Sequence, residues 1–405
     1  MPMVCEFAYF KSASCGTVDH VTKARDLNPF RFSGPLPAEQ MIDRDPEADD
    51  LLALTEGGHS FRLIGPRRYG KTTLLRRVLE VAERDGTATV LVDLQDVLSI
   101  AEIVVRIERG YERLKGPIRR HVDSLFRAWN IGLSLGGGGF TATLQRNPNV
   151  DAESVLLRLL ELPVALFDRE GTTSLIIFDE IQDVLAVPGA DGKIRSVIQH
   201  QGEAATYAFA GSAPGVMQQL FADPTRPLLD QAVPRELAPL PLADVGDYVT
   251  QRFRQTNRDA GTALTPLLEF TRGHPQRSMM LAHYLWERTP RASTANEGTW
   301  VSALDHAAHD TTPLMRAIWH ALTTNERRVS RALAVASTPL HSEETAAAVG
   351  IKRSSIGKAL ESLIANADVI HEPGAKPRLT DPMFELWLQN RGLTPATGDD
   401  EEGVN

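Results

Sequence analysis

Gly65-Pro66-Arg67-Arg68-Tyr69-Gly70-Lys71-Thr72 satisfies the spacing G-x-x-x-x-G-K-[ST] without a gap. The glycines let backbone N–H groups curl around phosphate oxygens where a side chain would block the approach. Lys71 adds a mobile positive charge for β and γ phosphates, and the Thr72 hydroxyl can ligate Mg²⁺. A helix entered through Thr73 would point its positive N-terminal end at the same anion. Ser174 to Glu180 (SLIIFDE) supplies the other half, an apolar run closing on two acids. From a strand end at the rim of a sheet, Asp179 can reach a metal-bound water. Glu180 can orient and deprotonate an attacking water. Alone, such an acid pair would be an ordinary solvated strand end; with the phosphate loop upstream it becomes a site. Ser212, at the tip of a later run, either senses a γ-phosphate or makes a plain Gly-Ser turn. Arg67 and Arg68 place unusual charge in the loop, for phosphate, a neighbouring domain or water. Together these residues predict binding of ATP/ADP with Mg²⁺, with Glu180, Lys71 and Ser212 as catalytic candidates and Thr72 and Asp179 as metal ligands.

The elements that must hold these residues are legible in the hydrophobic pattern. Phe61 to Ile64 is a short apolar run stopped by Gly65, and Thr72 to Arg84 is amphipathic, so strand, glycine loop and helix follow in order. Ala88 to Val92, Leu175 to Phe178 and Thr206 to Ala210 read as further buried strands. Asp45 to Thr55, Ile100 to Leu114 and Ala152 to Leu162 read as helices, the last ended by Pro163. Ile131 to Leu144, around Gly136 to Gly139, is either a hairpin or a glycine linker. Strands alternating with helices predict an α/β fold with a parallel sheet. The roughly hundred residues between Lys71 and Asp179 leave room for an extra strand between the two motifs. That spacing places the chain in the additional-strand class. After Leu240 the β signals fade into helical blocks.

At 405 residues the chain exceeds one ordinary domain. Its net charge of -9 argues against a coat of nucleic-acid-binding charge, though a local basic face is compatible with it. Two cysteines, Cys5 and Cys15, exclude a disulfide framework and fit a cytoplasmic chain. No apolar run approaches membrane-spanning length, and the start lacks a signal-peptide pattern. Residues 1–27 read as a poorly ordered lead, and the acidic stretch 392–405 as a disordered tail.

In this order the motifs resemble those of the archaeal-type ATPases of the STAND group, related to the AAA+ P-loop NTPases. The matching pieces run from Asn28-Pro29-Phe30 and Asp43-Arg44-Asp45-Pro46-Glu47 through GPRRYGKTT, IIFDEIQDV and Ile194 to Gln201. They continue through Phe209-Ala210-Gly211-Ser212, Thr271-Arg272-Gly273-His274-Pro275 and the Asp381-Pro382-Met383-Phe384 … Trp387 ending. The resemblance implies a P-loop ATPase core over 28–240, a helical lid over 241–312 and a winged helix-turn-helix domain over 313–391. It implies that Arg44 lies near the adenine, that Pro275 lies against the base, and that His274 approaches the phosphates. The alternative for Gly-His-Pro is a helix-breaking turn. The apoptotic and plant-resistance branch ends its sensor strand in an arginine; this chain ends it in Gly211-Ser212. Arg226 and Arg235 are substitutes by position alone.

The residues of the C-terminal block support the last assignment. Ser342 to Val349 and Arg353 to Ala365 are helices around a Gly350-Ile351 turn, and Val369-Ile370 and Arg378-Leu379 bracket a Gly-Pro loop. Lys352, Arg353 and Lys358 could meet DNA phosphates, and Ser354 or Ser355 base edges, but Glu343, Glu344, Glu361 and Glu372 dilute the field. Packing or regulation is the competing use. The expected function is a slowly hydrolysing nucleotide switch, acting through homo-oligomers, a protein signalling partner or DNA. The runner-up is a DNA-binding ATPase resembling origin-recognition proteins, and a small-molecule kinase comes third.

Overall fold

The computed structural model describes residues 27–34, 41–42, 44–128, 151–372 and 374–391. The lead at 1–26, the candidate hairpin at 131–144, Asp43 and the tail from 392 lie outside them. Five strands, β1 (Phe61–Ile64), β2 (Ala88–Asp93), β3 (Ser174–Asp179), β4 (Ala205–Gly211) and β5 (Val233–Glu236), form one sheet in the order β2-β3-β4-β1-β5. Every pairing in it is parallel. Parallel strands need crossovers, and the crossover helices cover both faces. β3 and β4 are accordingly buried at every position, whereas the edge strands β2 and β5 alternate. The rings of Phe178, Tyr207 and Phe209 stack along one face of β3 and β4, about 6 Å apart.

The helices around the sheet are α1 (Asp45–Glu56), α2 (Lys71–Arg84), α3 (Ile100–Glu112), α4 (Gly116–Ala128), α5 (Ala152–Glu170), α6 (Ala190–Ile198) and α7 (Pro214–Ala222). Leu74, Leu75 and Val78 of α2 fill one face with Phe61, Leu63 and Ile177. Ile103, Val104, Leu156 and Leu159 fill the other with Ile176 and Phe178. The strand separating the two motif strands is β4, which follows the acids in sequence. The described residues between the motifs instead supply edge strand β2 and helices. Crossover connections let β3 and β4 be neighbours while β1 lies on the far side of β4. This is the additional-strand P-loop arrangement, reached by a different strand than the spacing suggested.

One helix boundary and one strand differ from expectation. α5 continues through Pro163 to Glu170, because Leu156, Leu159, Leu160, Leu162 and Leu166 give it a buried stripe that outweighs one missing N–H. β5 was not foreseen: Val-Pro-Arg-Glu lacks a strand pattern, and Pro234 is tolerated because β5 is an edge.

Beyond the sheet come α8 (Leu242–Gln255), α9 (Leu264–Thr271), α10 (Pro275–Glu287), α11 (Glu297–Ala321), α12 (Thr324–Val335), α13 (Glu343–Ala348), α14 (Arg353–Ala365) and α15 (Pro382–Gln389). A two-stranded antiparallel ribbon, β6 (Val369–Ile370) with β7 (Arg378–Leu379), lies between α14 and α15. One continuous core joins these helices and takes in Phe30 and Ile42 from the N-terminal segment. The divide expected at residues 312 and 313 falls inside α11, which carries Pro313 within its 25 residues. α14 also touches the sheet domain: a methyl added at Gly215 of α7 would sit 2.5 Å from Cβ of Ala365. Among the described residues no helix is long and apolar enough to cross a membrane.

Candidate nucleotide site

β1 ends at Ile64 and α2 begins at Lys71, so the loop between them presents the unpaired N–H groups of the first helical turn. Gly70 caps α2 with φ +88°, a left-handed conformation that suits glycine, and Arg68 holds φ +66°. Lys71 is 5% exposed, and its Nζ donates to the carbonyls of Gly65 (2.8 Å) and Pro66 (3.1 Å). Burial pulls the Lys71 ammonium below its ordinary pKa, while Glu180 and Asp179 draw it upward.

The two motifs meet. The Thr72 hydroxyl donates to Asp179 Oδ2 at 2.9 Å. Burial raises the Asp179 carboxyl above the usual carboxylate range, opposed by that hydrogen bond. Glu180 follows with φ +53°, and its Oε2 accepts from Ser212 Oγ at 2.9 Å and from Gln182 Nε2 at 2.6 Å. β4 brings Ser212 there because it lies beside β3 in the sheet. Thr72 and Asp179 pair a hydroxyl with one carboxylate, which suits Mg²⁺, an ion that keeps waters and shares phosphate oxygens.

Lys71, Thr72 and Glu180 line a cavity of about 880 Å³. Its polar lining includes Arg67, Arg68, Tyr69, Gly70, Thr73 and Arg44 as well. Its apolar lining includes Phe32, Met41, Ile42, Leu240, Pro275 and Met279. A flat base beside an anion-binding loop fits that mixed lining. Arg44 is 4% exposed and donates to Glu47 Oε1 and to the carbonyl of Ala238. Pro275 opens α10 and faces the cavity.

His274 is not on the cavity wall. It is buried, its Nδ1 accepts from Arg277 N–H at 3.3 Å to cap α10, and its ring meets Tyr69 edge-on at 5.0 Å. Burial pushes its pKa down to about 4, so the ring is neutral at pH 7. The histidine therefore packs against Tyr69 of the phosphate loop, and burial favours its neutral form. Tyr69 is buried too, its hydroxyl pushed up to about 12. Arg226 pairs with Asp191 at 3.4 Å and Arg235 with Asp50 at 2.5 and 3.0 Å, so both positional substitutes for a sensor arginine are engaged away from the cavity.

Sequence reading missed Gln182, although it lies in the quoted stretch IIFDEIQDV. It also missed Asp310 and Leu314 of α11, which line the cavity without any local motif. Arg67 and Arg68 line the cavity as well. The charge of Arg67 reaches Asp368, whose carboxyl burial lifts to about 6, and that of Arg68 reaches Asp381. The loop arginines thus face the C-terminal elements.

No family model and no curated protein matches the chain. Solved structures do. The Walker-type ATPase of Pyrococcus abyssi is 17% identical, with 89% of this chain and 99% of that one covered at TM-score 0.68. The ORC2 protein of Aeropyrum pernix, solved as ADPNP-ADP complexes, is 16% identical, with 89% and 96% covered at TM-score 0.55. At such identities the likeness is one of fold. The chain has the P-loop NTPase fold, a five-stranded parallel core followed by a helical domain, that it shares with these proteins.

Proposed function

We propose that the chain binds ATP with Mg²⁺ and hydrolyses it slowly, as a nucleotide switch. The observation that carries this is that Lys71, Thr72 and Glu180 line one cavity, with Asp179 hydrogen-bonded to Thr72 and Ser212 to Glu180. Lys71 would leave its two loop carbonyls to meet the phosphates. Glu180 takes a proton from the attacking water, and Ser212 holds the carboxylate that does so. Thr72 and Asp179 would hold Mg²⁺, which when bound neutralises charge on the β and γ oxygens. The A. pernix protein was solved with ADPNP and ADP, which supports the same ligand class here.

The switch rests on the far wall of the cavity. Met279 and Met280 of α10 and Asp310 and Leu314 of α11 belong to the helical domain, so a bound nucleotide touches both bodies. ATP and ADP then favour different arrangements in proportion to their differential contacts. α13, α14 and the ribbon β6–β7 follow the order of a winged helix, which we read as the element repositioned, signalling through a homo-oligomer or a protein partner. A second reading has one observation in its favour: Lys352, Arg353, Ser354 and Lys358 are exposed at the start of α14 and could meet DNA. Binding that falls steeply with salt would favour it, and no binding at low salt would remove it.

The test of the main reading is Lys71→Ala. ATP affinity should fall by about tenfold or more, with turnover lost, in titration and phosphate-release assays. Unchanged affinity and hydrolysis would defeat the assignment.

A further inference from the structure

Gln182 is the second residue of a 3₁₀ turn, Ile181–Ala186, that follows directly on Glu180. Ile181 and Val184 are buried, so the turn is pinned into the core and the backbone of Gln182 has little freedom. Its side chain reaches back to Glu180: Nε2 donates to Oε2 at 2.6 Å. The opposite orientation of the amide would set its oxygen against a carboxylate, so the acid dictates which end faces it. The consequence falls on the other end. Gln182 Oε1 is buried with no hydrogen-bond partner among the described residues. It fits only because residue 211 is glycine, where an added methyl would lie 2.6 Å from that oxygen.

An orphaned amide oxygen is destabilising, and folding alone gives no reason to keep one. A hydrophobic residue in the turn would pack without it. What the amide achieves is a second donor on the same oxygen that Ser212 already holds at 2.9 Å. Glu180 sits on a left-handed backbone at the rim, where its side chain would otherwise swing freely. Two donors on Oε2 constrain the carboxylate of a residue that lines the cavity, with Oε1 as its other acceptor.

We propose that Gln182, which lines the same cavity, is a positioning residue for ATP hydrolysis, acting through the Glu180 carboxylate. This rests on the ATPase reading above. In the step it serves, water oxygen bonds to the γ-phosphorus as the bridging P–O bond breaks and its electron pair leaves with ADP. The water proton passes to Glu180 Oε1 and then to phosphate.

The test compares Gln182→Ala and Gln182→Glu with the unaltered chain by ATP turnover, ATP affinity and melting temperature. Both should lower kcat by about tenfold or more while ATP affinity stays within about twofold, because only the reacting geometry is lost. Gln182→Glu keeps the shape and replaces the donor by a repelling carboxylate, so it carries the test if Gln182→Ala folds poorly. Unchanged or raised kcat in the folded variants overturns the proposal, as does a loss of ATP affinity that parallels kcat. If the unaltered chain binds ATP but turns none over with enzyme in excess, the positioning role falls while nucleotide binding stands. If it binds no ATP, the function reading fails first and takes this inference with it.

Discussion

His274 has no part in the reaction derived above, yet it leaves the clearest signature in acid. Burial holds its pKa down to about 4, against an ordinary value of about 6.5 in the unfolded chain. Between those values the unfolded state binds a proton that the folded state refuses, so stability falls as pH drops from about 6.5 toward about 4. Protonation would also cancel the acceptor that caps α10. His274→Asn keeps a capping oxygen and removes the titration. Its melting temperature should therefore decline less across that window than that of the unaltered chain, and equal slopes would show that the ring is not held neutral. The same ring contact with Tyr69 ties the start of α10 to the phosphate loop, so its readout belongs to the site as well as to the fold.

At the scale of elements, α7 and α14 meet in a close contact between the sheet domain and the C-terminal helices. Gly215 lets α7 lie against the backbone of Ala365, with a notional Cβ at 3.0 Å from its Cα. Neither neighbour is a flexible side-chain tip, so the helices must separate to admit a methyl. Gly215→Ala should lower stability by about 1–3 kcal/mol despite the gain in helix propensity. Chemical denaturation of the full chain measures this, and a stabilised variant would mean that the two helices do not pack this closely. The contact also bears on α14 as a DNA reader: its C-terminal end is covered while its basic start is exposed.

At the scale of the whole molecule, a buried charge pair ties α10 to the cap of α15, and Arg272 with Glu385 makes a second pair between the end of α9 and α15. Arg277 is 1% exposed and donates to both carboxylate oxygens of Asp381, at 2.9 and 2.5 Å. Burial alone would raise the Asp381 carboxyl, but the charge and hydrogen bonds of Arg277 outweigh it and leave the pKa below the ordinary range. Asp381→Asn preserves the α15 cap and strands a buried guanidinium, which should cost about 3 kcal/mol. The denaturation midpoint should drop, and protease should release the C-terminal elements sooner; an unchanged midpoint would show that the pair is dispensable. Arg68 faces the same aspartate, so the nucleotide loop and the C-terminal block share one electrostatic neighbourhood.

By itself the sequence determined the phosphate loop, the acid strand, the parallel α/β class and most strand positions. Each of these is written in local terms: glycine and lysine at fixed spacing, or apolar runs that end where the chain must turn. It could not place β4 between β1 and β3, because strand order depends on crossovers that leave no local mark. Edge strand β5 was hidden because pairing with β1 decides it, and the continuation of α5 past Pro163 because burial, not propensity, decides it. The role of His274 and the reach of Arg67 and Arg68 were likewise open. Burial and partners brought from a hundred or more residues away settle such questions, and only tertiary structure supplies those.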